Sequence, residues 1–377
     1  MISGSTATGA PAVSVAARVT TSSTSVGPNR ATAGYATSSP PPATLPFSRD
    51  LVPNRPALSP DQLRYCSEAL EFFKAKFKNP ETIKSIINSE FDDFLEKNHS
   101  RVDVVLKSPD VNKKCSVAFN PLNYETNNRY TNVLPFDFNR VILDPKIGYR
   151  PAEAGYINAS FIKMNHASTS QFIATQGPKE CTFQDFWAMI LQYRCKVIIM
   201  LTKLKDDKGG DLCSEYFPVD EWSKEFGSII VKTKWKTSNE TGLTWRYFEV
   251  NYKESKEPPL DVLHIQYLDW PDKEVPENNL PVLEILKIMY HVPTDIGPVV
   301  VHCSAGIGRA GTYCTIHNTI QRILLGDKSA LKVLDTVTFY RCQRMGMVQN
   351  KEQYEFCYKA IMDELENLKS EGKSKRS

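Results

Sequence analysis

The sequence has no long apolar run and little net charge. No uninterrupted apolar stretch approaches the ~18 residues of a membrane span, and residues 1–25 lack the apolar core of a secretory signal. The 46 Lys and Arg residues nearly balance the 43 Asp and Glu residues, which leaves a net charge of +3. A charge this mild does not indicate a nucleic-acid-binding protein and names no partner. We therefore expect a soluble, cytoplasmic protein with neither a membrane span nor a nucleic-acid partner.

Cysteine pairs at metal-binding spacing are also absent. The nine cysteines, an odd number, are scattered from Cys66 to Cys357 and include no C-x-x-C pair. This distribution argues against a disulfide framework and against a thiolate zinc site. A reducing compartment fits it best.

The two ends of the chain have few large apolar residues. Residues 1–56 are rich in Ser, Thr, Ala, Pro and Gly, cannot bury enough surface to offset their ordering entropy, and are predicted to be disordered. Their low acidic content faintly resembles an organelle transit peptide, but the PPP at 40–42 and the lack of an amphipathic stripe favour plain disorder. Residues 370–377 are predicted to be a basic flexible tail, so the folded domain spans 57–369.

Hydrophobic periodicity predicts an α/β domain between these tails. Ser59 and Gln62 form a capping box with Pro60 at the first helical position, which predicts a helix to about Phe77, and a second helix follows Pro80. Short runs rich in β-branched and aromatic residues predict strands in the middle of the chain: KVIIMLT, SIIVKTKW, RYFEVNY and VLHIQYL. The last hundred residues return to helical spacing, interrupted only by the buried strand GPVVVHC.

The stretch that follows this strand, VVVHCSAGIGRAGTY, contains two incompatible fingerprints. Gly306, Gly308 and Gly311 form the G-x-G-x-x-G pattern of a dinucleotide site. Such a site requires a second strand after the helix and an acidic residue about 20 positions further on. Here the helix that ends at Gly326 precedes another helical pattern, and Asp335 lies inside that pattern. The dinucleotide interpretation therefore has little support.

The second fingerprint is a cysteine and an arginine that enclose five residues. A strand, a glycine-rich turn and a helix aim backbone N–H groups and the positive end of the helix at one point, which suits an anion. Cys303 lies in this field, which favours a thiolate nucleophile, and Arg309 offers a planar fork that matches two phosphoryl oxygens. Alone, such a cysteine is more often a packing residue and such an arginine a solvated charge. Together they indicate phosphate chemistry.

These residues, HCSAGIGR, resemble the signature loop of the protein tyrosine phosphatases. Other stretches resemble the tyrosine-specific, non-receptor branch in the same order: NRYTNVLPFD, GYINASFI, FIATQGP, TFQDFW, WPD and VQNKEQ. The resemblance covers roughly residues 60–368. It implies an α/β fold in which helices flank a highly twisted mixed β-sheet.

The resemblance also implies a two-step hydrolysis of phosphotyrosine in proteins, without metal or cofactor. Cys303 would attack phosphorus while Asp272, which follows Trp270 in the WPD turn, protonates the tyrosyl oxygen. A water positioned by Gln349, with help from Gln353, would then hydrolyse the cysteinyl-phosphate.

Substrate binding is assigned by the same resemblance. Tyr130 would stack on the substrate ring and set a depth that phosphoserine cannot bridge, which disfavours a dual-specificity phosphatase. His302 is either a satisfied buried histidine or a hydrogen-bond partner that tunes the loop, and with Trp270 it is counted as a supporting residue. The predicted substrate-binding residues are Tyr130, Asn132, Ser304, Ala305, Gly306, Ile307, Gly308 and Gln353.

Among the departures from the family pattern, three bear on the rate of catalysis. Ala310 stands where Ser or Thr is usual, and loss of a hydroxyl that donates to the thiolate removes ~1.5–3 kcal/mol of charged hydrogen bonding, which predicts a slower second step. Lys273 stands where an aromatic residue or His is typical, and Glu274 stands where Gly is typical. These two residues would stiffen the acid loop. The alternative function is therefore a low-activity or inactive phosphatase-like module that binds phosphotyrosine. The oligomeric state is left open.

Overall fold

A mixed β-sheet of nine strands lies at the centre of the part of the chain that the structure describes, as predicted. The strands are β1 (Arg140–Ile142), β2 (Tyr156–Ile162), β3 (Phe172–Thr175), β4 (Val197–Met200), β5 (Ser223–Phe226), β6 (Ile229–Ser238), β7 (Leu243–Tyr252), β8 (Leu260–Tyr267) and β9 (Val299–His302). Their order in the sheet is β1-β2-β3-β9-β4-β8-β7-β6-β5, with β3, β9, β4 and β8 parallel and the other pairs antiparallel.

A computed structural model describes residues 54–78, 80–97, 114–146, 148–166, 168–219 and 221–374. The predicted disorder of residues 1–53 lies outside this part of the chain. All described residues belong to one compact unit. Within them, no helix is long and apolar enough to cross a membrane.

Helices cover both faces of the sheet. The helices are α1 (Pro60–Lys76), α2 (Pro80–Lys97), α3 (Phe183–Gln192), α4 (Leu280–Met289), α5 (Gly308–Leu324), α6 (Val333–Arg341) and α7 (Lys351–Ser374). One face of the sheet packs against α3, and the other packs against the remaining helices, which include the long α5 and α7.

Strand β9 lies between β3 and β4 in the middle of the sheet. All four of its residues are buried, and so are all four of β4. Strands covered on both faces have continuous apolar runs rather than alternating ones, which is why GPVVVHC and KVIIMLT were recognisable as strands. The central position of β9 fixes the point at which Cys303 leaves the sheet.

The first helix begins as the capping box predicted. The Gln62 N–H donates to Ser59 Oγ at 3.2 Å, and the Ser59 N–H donates to Gln62 Oε1 at 2.9 Å. Two orphan N–H groups are satisfied in this way. The helix ends at Lys76, with Phe77 as its C-cap.

Ordered contacts and helix extend beyond residues 57 and 369, the boundaries predicted for the folded domain. Arg55, placed in the N-terminal tail, is buried and donates to the two oxygens of the buried Glu364 at 2.8 and 2.7 Å. It also pairs with Glu371 at 2.7 Å. Helix α7 continues to Ser374, so residues 370–374 are helical and not a tail. A buried carboxylate needs a paired cation, which ties the two ends of the domain together.

Candidate active site

A tight loop joins β9 to α5 and begins with Cys303. Gly306 in this loop has φ +72°, and a Cβ built on it would lie 2.1 Å from the Thr175 carbonyl oxygen. Only glycine fits this conformation and this approach. The Gly306 N–H donates to Cys303 Sγ at 3.2 Å. Cys303 is 2% exposed, and its sulfur is turned into the concave side of the loop.

The carbonyl groups of the loop are held on its outer side. The Ser304 carbonyl accepts from the Gly177 N–H at 2.8 Å. The carbonyls of Ala305 and Gly306 accept from the guanidinium of Arg344 at 3.1 and 2.9 Å. Because these oxygens point outward, the loop turns its N–H groups towards the concave side, as an anion cradle requires.

Arg344 was not predicted from the sequence. It is fully buried and also donates to Asn158 Oδ1 at 2.7 Å and to Ser160 Oγ at 3.1 Å, both on β2. Desolvation lowers the pKa of Arg344 to about 10. In the polar run RCQRMG this arginine is typical of a solvated surface, and only its burial identifies it as a brace for the loop.

Arg309, in the first turn of α5, is buried rather than solvated, with 2% exposure. Its Nη1 donates to the Trp270 carbonyl at 3.0 Å and to Thr202 Oγ1 at 3.2 Å. Its Nη2 lies 2.7 Å from Asp272 Oδ1. The guanidinium therefore joins the signature loop to the WPD turn.

The WPD turn lies between β8 and α4. Trp270 is buried and packs against Phe356 of α7, and its indole N–H donates to the Glu274 carbonyl at 3.1 Å. Asp272 lies on the exposed side of this anchor, with 37% of its side chain accessible. The buried tryptophan thus supports a carboxylate that faces both solvent and Arg309.

Two glutamines, Gln349 just before α7 and Gln353 in its first turn, converge on Gly308. A Cβ built on Gly308 would lie 2.9 Å from Gln353 Nε2 and 3.0 Å from Gln349 Oε1. The Gln349 N–H donates to Gln353 Oε1 at 2.9 Å, which fixes the two residues relative to each other. Gln353 is fully buried, whereas Gln349 is exposed. Glycine at 308 leaves the space that both side chains occupy.

Tyr130 forms one wall of the same site. Its hydroxyl lies 2.8 Å from Ser304 Oγ, and its ring is half-buried. The neighbouring Arg129 anchors the loop by donating to the carbonyls of Gly177 and Pro178 at 2.9 and 2.8 Å. Asn132 lies on the same loop but is exposed, and among the described residues it has no hydrogen bond to the signature loop.

Both ring nitrogens of His302 have hydrogen-bond partners. It is buried, and its Nδ1 lies 3.2 Å from the Cys303 carbonyl oxygen. Its Nε2 lies 2.7 Å from the hydroxyl of Tyr216, a buried residue that was not predicted. Desolvation lowers the pKa of His302 to about 4, so the imidazole is neutral near pH 7. A neutral ring that donates from Nδ1 to the carbonyl accepts at Nε2 from the tyrosine.

The comparison with known families agrees with this geometry. The family model described as protein-tyrosine phosphatase matches residues 124–363. The chain belongs to this family. The matched range contains the Tyr130 loop, the WPD turn, the signature loop and both glutamines of the phosphatase.

Individual relatives are similar to the phosphatase over different lengths. Protein-tyrosine-phosphatase PTP1 of Arabidopsis thaliana is 48% identical over 323 residues, which are 85% of this chain and 91% of that protein. Receptor-type tyrosine-protein phosphatase alpha of Homo sapiens is 34% identical over 63% of this chain and 29% of its own length. Receptor-type tyrosine-protein phosphatase epsilon of Rattus norvegicus is 35% identical over 62% of this chain and 33% of its own length. The chain thus spans a third or less of these two receptor proteins.

The first turn of α5 carries a methyl group at position 310. Ala310 is fully buried in the first turn of α5 and belongs to the same apolar cluster as Cys303. Ile307, just before this helix, accepts from the N–H groups of Gly311 and Val348 at 3.0 and 3.1 Å. Backbone groups therefore brace the signature loop at Ile307 from both sides.

Proposed function

We propose that this phosphatase hydrolyses phosphotyrosine in proteins through a cysteinyl-phosphate formed on Cys303. The observation that carries the proposal is the convergence of three elements on one loop. The thiol of Cys303 lies inside it, the guanidinium of Arg309 borders it, and the carboxylate of Asp272 is held against that guanidinium at 2.7 Å. A phosphoryl group bound there meets a nucleophile on one side and an acid on the other.

The first step transfers the phosphoryl group to sulfur. The Cys303 thiolate forms a bond to phosphorus, the bond from phosphorus to the tyrosyl oxygen breaks, and Asp272 gives its proton to that oxygen. Arg309 binds two of the equatorial oxygens, where charge accumulates in the transition state. In the free structure Asp272 accepts from the Nη2 of this guanidinium, so phosphoryl binding replaces that bond and leaves the carboxyl group beside the phosphoryl group.

The second step returns the enzyme to its starting state. Gln349 and Gln353 position a water, Asp272 as a carboxylate takes its proton, and the new phosphorus–oxygen bond displaces the Cys303 thiolate as inorganic phosphate forms. The buried Nε2 of Gln353 supports this assignment, because it has no hydrogen-bond partner within the described part of the chain. A buried amide donor is rarely left unpaired, and here it faces the space above Gly308.

Tyr130 accounts for the preference for an aromatic substrate. Its hydroxyl is fixed by Ser304 at 2.8 Å, so its ring stands at the rim of the cradle. A substrate tyrosyl ring can stack on this wall while its phosphate reaches the loop. The short side chain of phosphoserine does not span that depth.

The competing candidate is a module that captures phosphotyrosine without turning it over. The observation in its favour is the methyl of Ala310, which cannot donate a hydrogen bond to sulfur. A phosphotyrosyl peptide separates the two. Steady phosphate release by the wild type that disappears in Cys303→Ser supports the enzyme, and Cys342→Ser, at an exposed cysteine, serves as the control. Tight binding without release supports the module and overturns the proposed hydrolysis.

We also propose that the phosphatase acts in the cytoplasm on phosphotyrosine-containing signalling proteins. All nine cysteines are free, and seven of them are buried. This usage suits a reducing compartment. Cell fractionation with an antibody to the chain tests the location, and recovery in an oxidising compartment would contradict it.

A further inference from the structure

Asn350 connects the two loops that carry the groups for acid–base chemistry. Its Nδ2 donates to the carbonyl oxygen of Lys273 at 2.6 Å, in the residue that directly follows Asp272. Its Oδ1 accepts from the Gln353 N–H at 2.9 Å at the start of α7. One amide side chain therefore bridges the WPD turn and the glutamine segment, which are far apart in sequence.

The WPD turn needs such support because it contains a strained residue. Lys273 has φ +61°, in the left-handed region that disfavours side chains with a Cβ. A residue other than glycine in this region costs about 1–2 kcal/mol and persists only where its surroundings hold it. The indole of Trp270 holds the turn from within through the Glu274 carbonyl at 3.1 Å. Asn350 holds it from α7.

We propose that Asn350 is a positioning residue that fastens the WPD turn over the signature loop and keeps Asp272 in place. The inference rests on the proposed function, in which Asp272 serves both steps. An acid-loop residue can act only while the loop is in place. A bond from the segment that carries Gln349 and Gln353 also keeps the acid–base group and the water-positioning groups at a fixed separation. Asn350 touches neither sulfur nor phosphorus and acts through Asp272.

The test separates the donor of Asn350 from its role as a helix cap. Asn350→Asp keeps an oxygen that can accept from the Gln353 N–H but loses the N–H that reaches Lys273. Asn350→Ser also retains a cap oxygen, adds no charge, and is too short to reach the carbonyl. Glu352→Gln, at an exposed residue of the same helical turn, is the control variant.

The measurement is kcat/KM for two substrates, phenyl phosphate and 4-nitrophenyl phosphate. The phenol leaving group resembles tyrosine and needs a proton from Asp272, whereas nitrophenolate needs little protonation. We expect Asn350→Asp and Asn350→Ser to lower kcat/KM for phenyl phosphate by about tenfold and for 4-nitrophenyl phosphate by about twofold or less. Glu352→Gln should keep the wild-type ratio between the substrates. A purely structural role would lower both values together.

Two results would overturn the inference. One is an equal loss for both substrates in Asn350→Asp and Asn350→Ser, and the other is no loss at all. Asp272→Asn distinguishes this failure from failure of the proposed function. If Asp272→Asn selectively slows phenyl phosphate and the Asn350 variants do not, the positioning role alone is wrong. If Asp272→Asn has no selective effect, the assigned acid is wrong as well.

Discussion

The guanidinium of Arg309 and the carboxylate of Asp272 lie 2.7 Å apart, although they are 37 positions apart in sequence. The first is assigned to bind phosphoryl oxygens and the second to protonate the oxygen that leaves. In the proposed mechanism, the bridging oxygen of a bound substrate would lie close to both groups. The proposal therefore links phosphate binding to leaving-group protonation through this pair.

Removing the proton of Asp272 should affect substrates according to their leaving groups. Asp272→Asn keeps the shape of the side chain and a contact with Arg309, but it has no acidic proton to give. We expect kcat/KM for a phosphotyrosyl peptide to fall by about 10²–10⁴-fold, and for 4-nitrophenyl phosphate by much less. Asp269→Asn, at an exposed carboxylate just before the turn, is the control. Equal losses on both substrates would assign Asp272 to binding instead of acid catalysis.

Arg344 should be required for both stability and turnover. Arg344→Met removes the donor to Asn158, Ser160 and two carbonyls of the signature loop, so buried acceptors lose their partners. We expect the free energy of unfolding, measured with urea, to fall by about 3 kcal/mol or more, and kcat to fall in the fraction that remains folded. Arg344→Lys should regain little of the lost stability or of the lost kcat, because an ammonium group cannot span several acceptors as a planar guanidinium does.

Arg322→Lys is the matched comparison for Arg344. Arg322 is also buried and bonds to Asp327, Ser329 and Thr336, but it lies at the far end of α5. Its replacement should lower stability without changing kcat of the folded enzyme. A parallel loss of kcat in both variants would show that Arg344 acts only through global stability.

Local signals in the sequence predicted the local parts of the fold. The capping box of α1 and the strand β9 depend on residues close together in the chain, and both are found as expected. The unit of strand, loop and helix around Cys303 was recognisable because its glycines, cysteine and arginine lie within a few positions. The helical character of 370–374 was missed, because polar residues at the end of a helix carry no apolar stripe.

Contacts between distant segments could not be predicted in this way. Strand β3 pairs with β9, whose residues follow more than a hundred positions later, so neither strand indicates its neighbour. Arg344 and Asn350 have the composition of surface residues, and their partners are backbone carbonyls and side chains of other segments. Backbone carbonyls exist at every position and leave no mark in the sequence. The braces of the active site are therefore visible only in the folded chain.

The buried histidines should make the protein less stable in acid. Desolvation lowers the pKa of His302 to about 4 and that of His317 to about 3, below the unfolded value of 6.5. Between each folded pKa and 6.5, the unfolded chain binds more protons than the folded chain. The stabilisation by the two neutral histidines is therefore complete above pH 6.5 and is lost as the pH falls towards 4 and 3. Asp185 acts in the opposite direction, because burial raises its pKa to about 6.

His317→Gln tests this dependence away from the catalytic loop. His317 lies 3.0 Å from the Tyr313 hydroxyl and 3.2 Å from Ser170 Oγ, contacts that an amide can partly replace. Urea unfolding at pH 7 and pH 5 should show that the variant loses about 2 kcal/mol less than the wild type over this interval. Identical losses in the two proteins would mean that His317 does not contribute to acid instability.

Ala310 offers a test of the second chemical step alone. Ala310→Ser adds a hydroxyl in the first turn of α5, directly after the signature loop, and a hydrogen bond from it to sulfur would stabilise the departing thiolate by ~1.5–3 kcal/mol. Because the thiolate leaves only when the cysteinyl-phosphate is hydrolysed, we expect steady-state turnover to rise and the burst of trapped phosphoenzyme to shrink in rapid-quench experiments. Ala310→Gly, which adds no donor, should not reproduce the gain. Unchanged burst and turnover in Ala310→Ser would show that thiolate departure does not limit this enzyme.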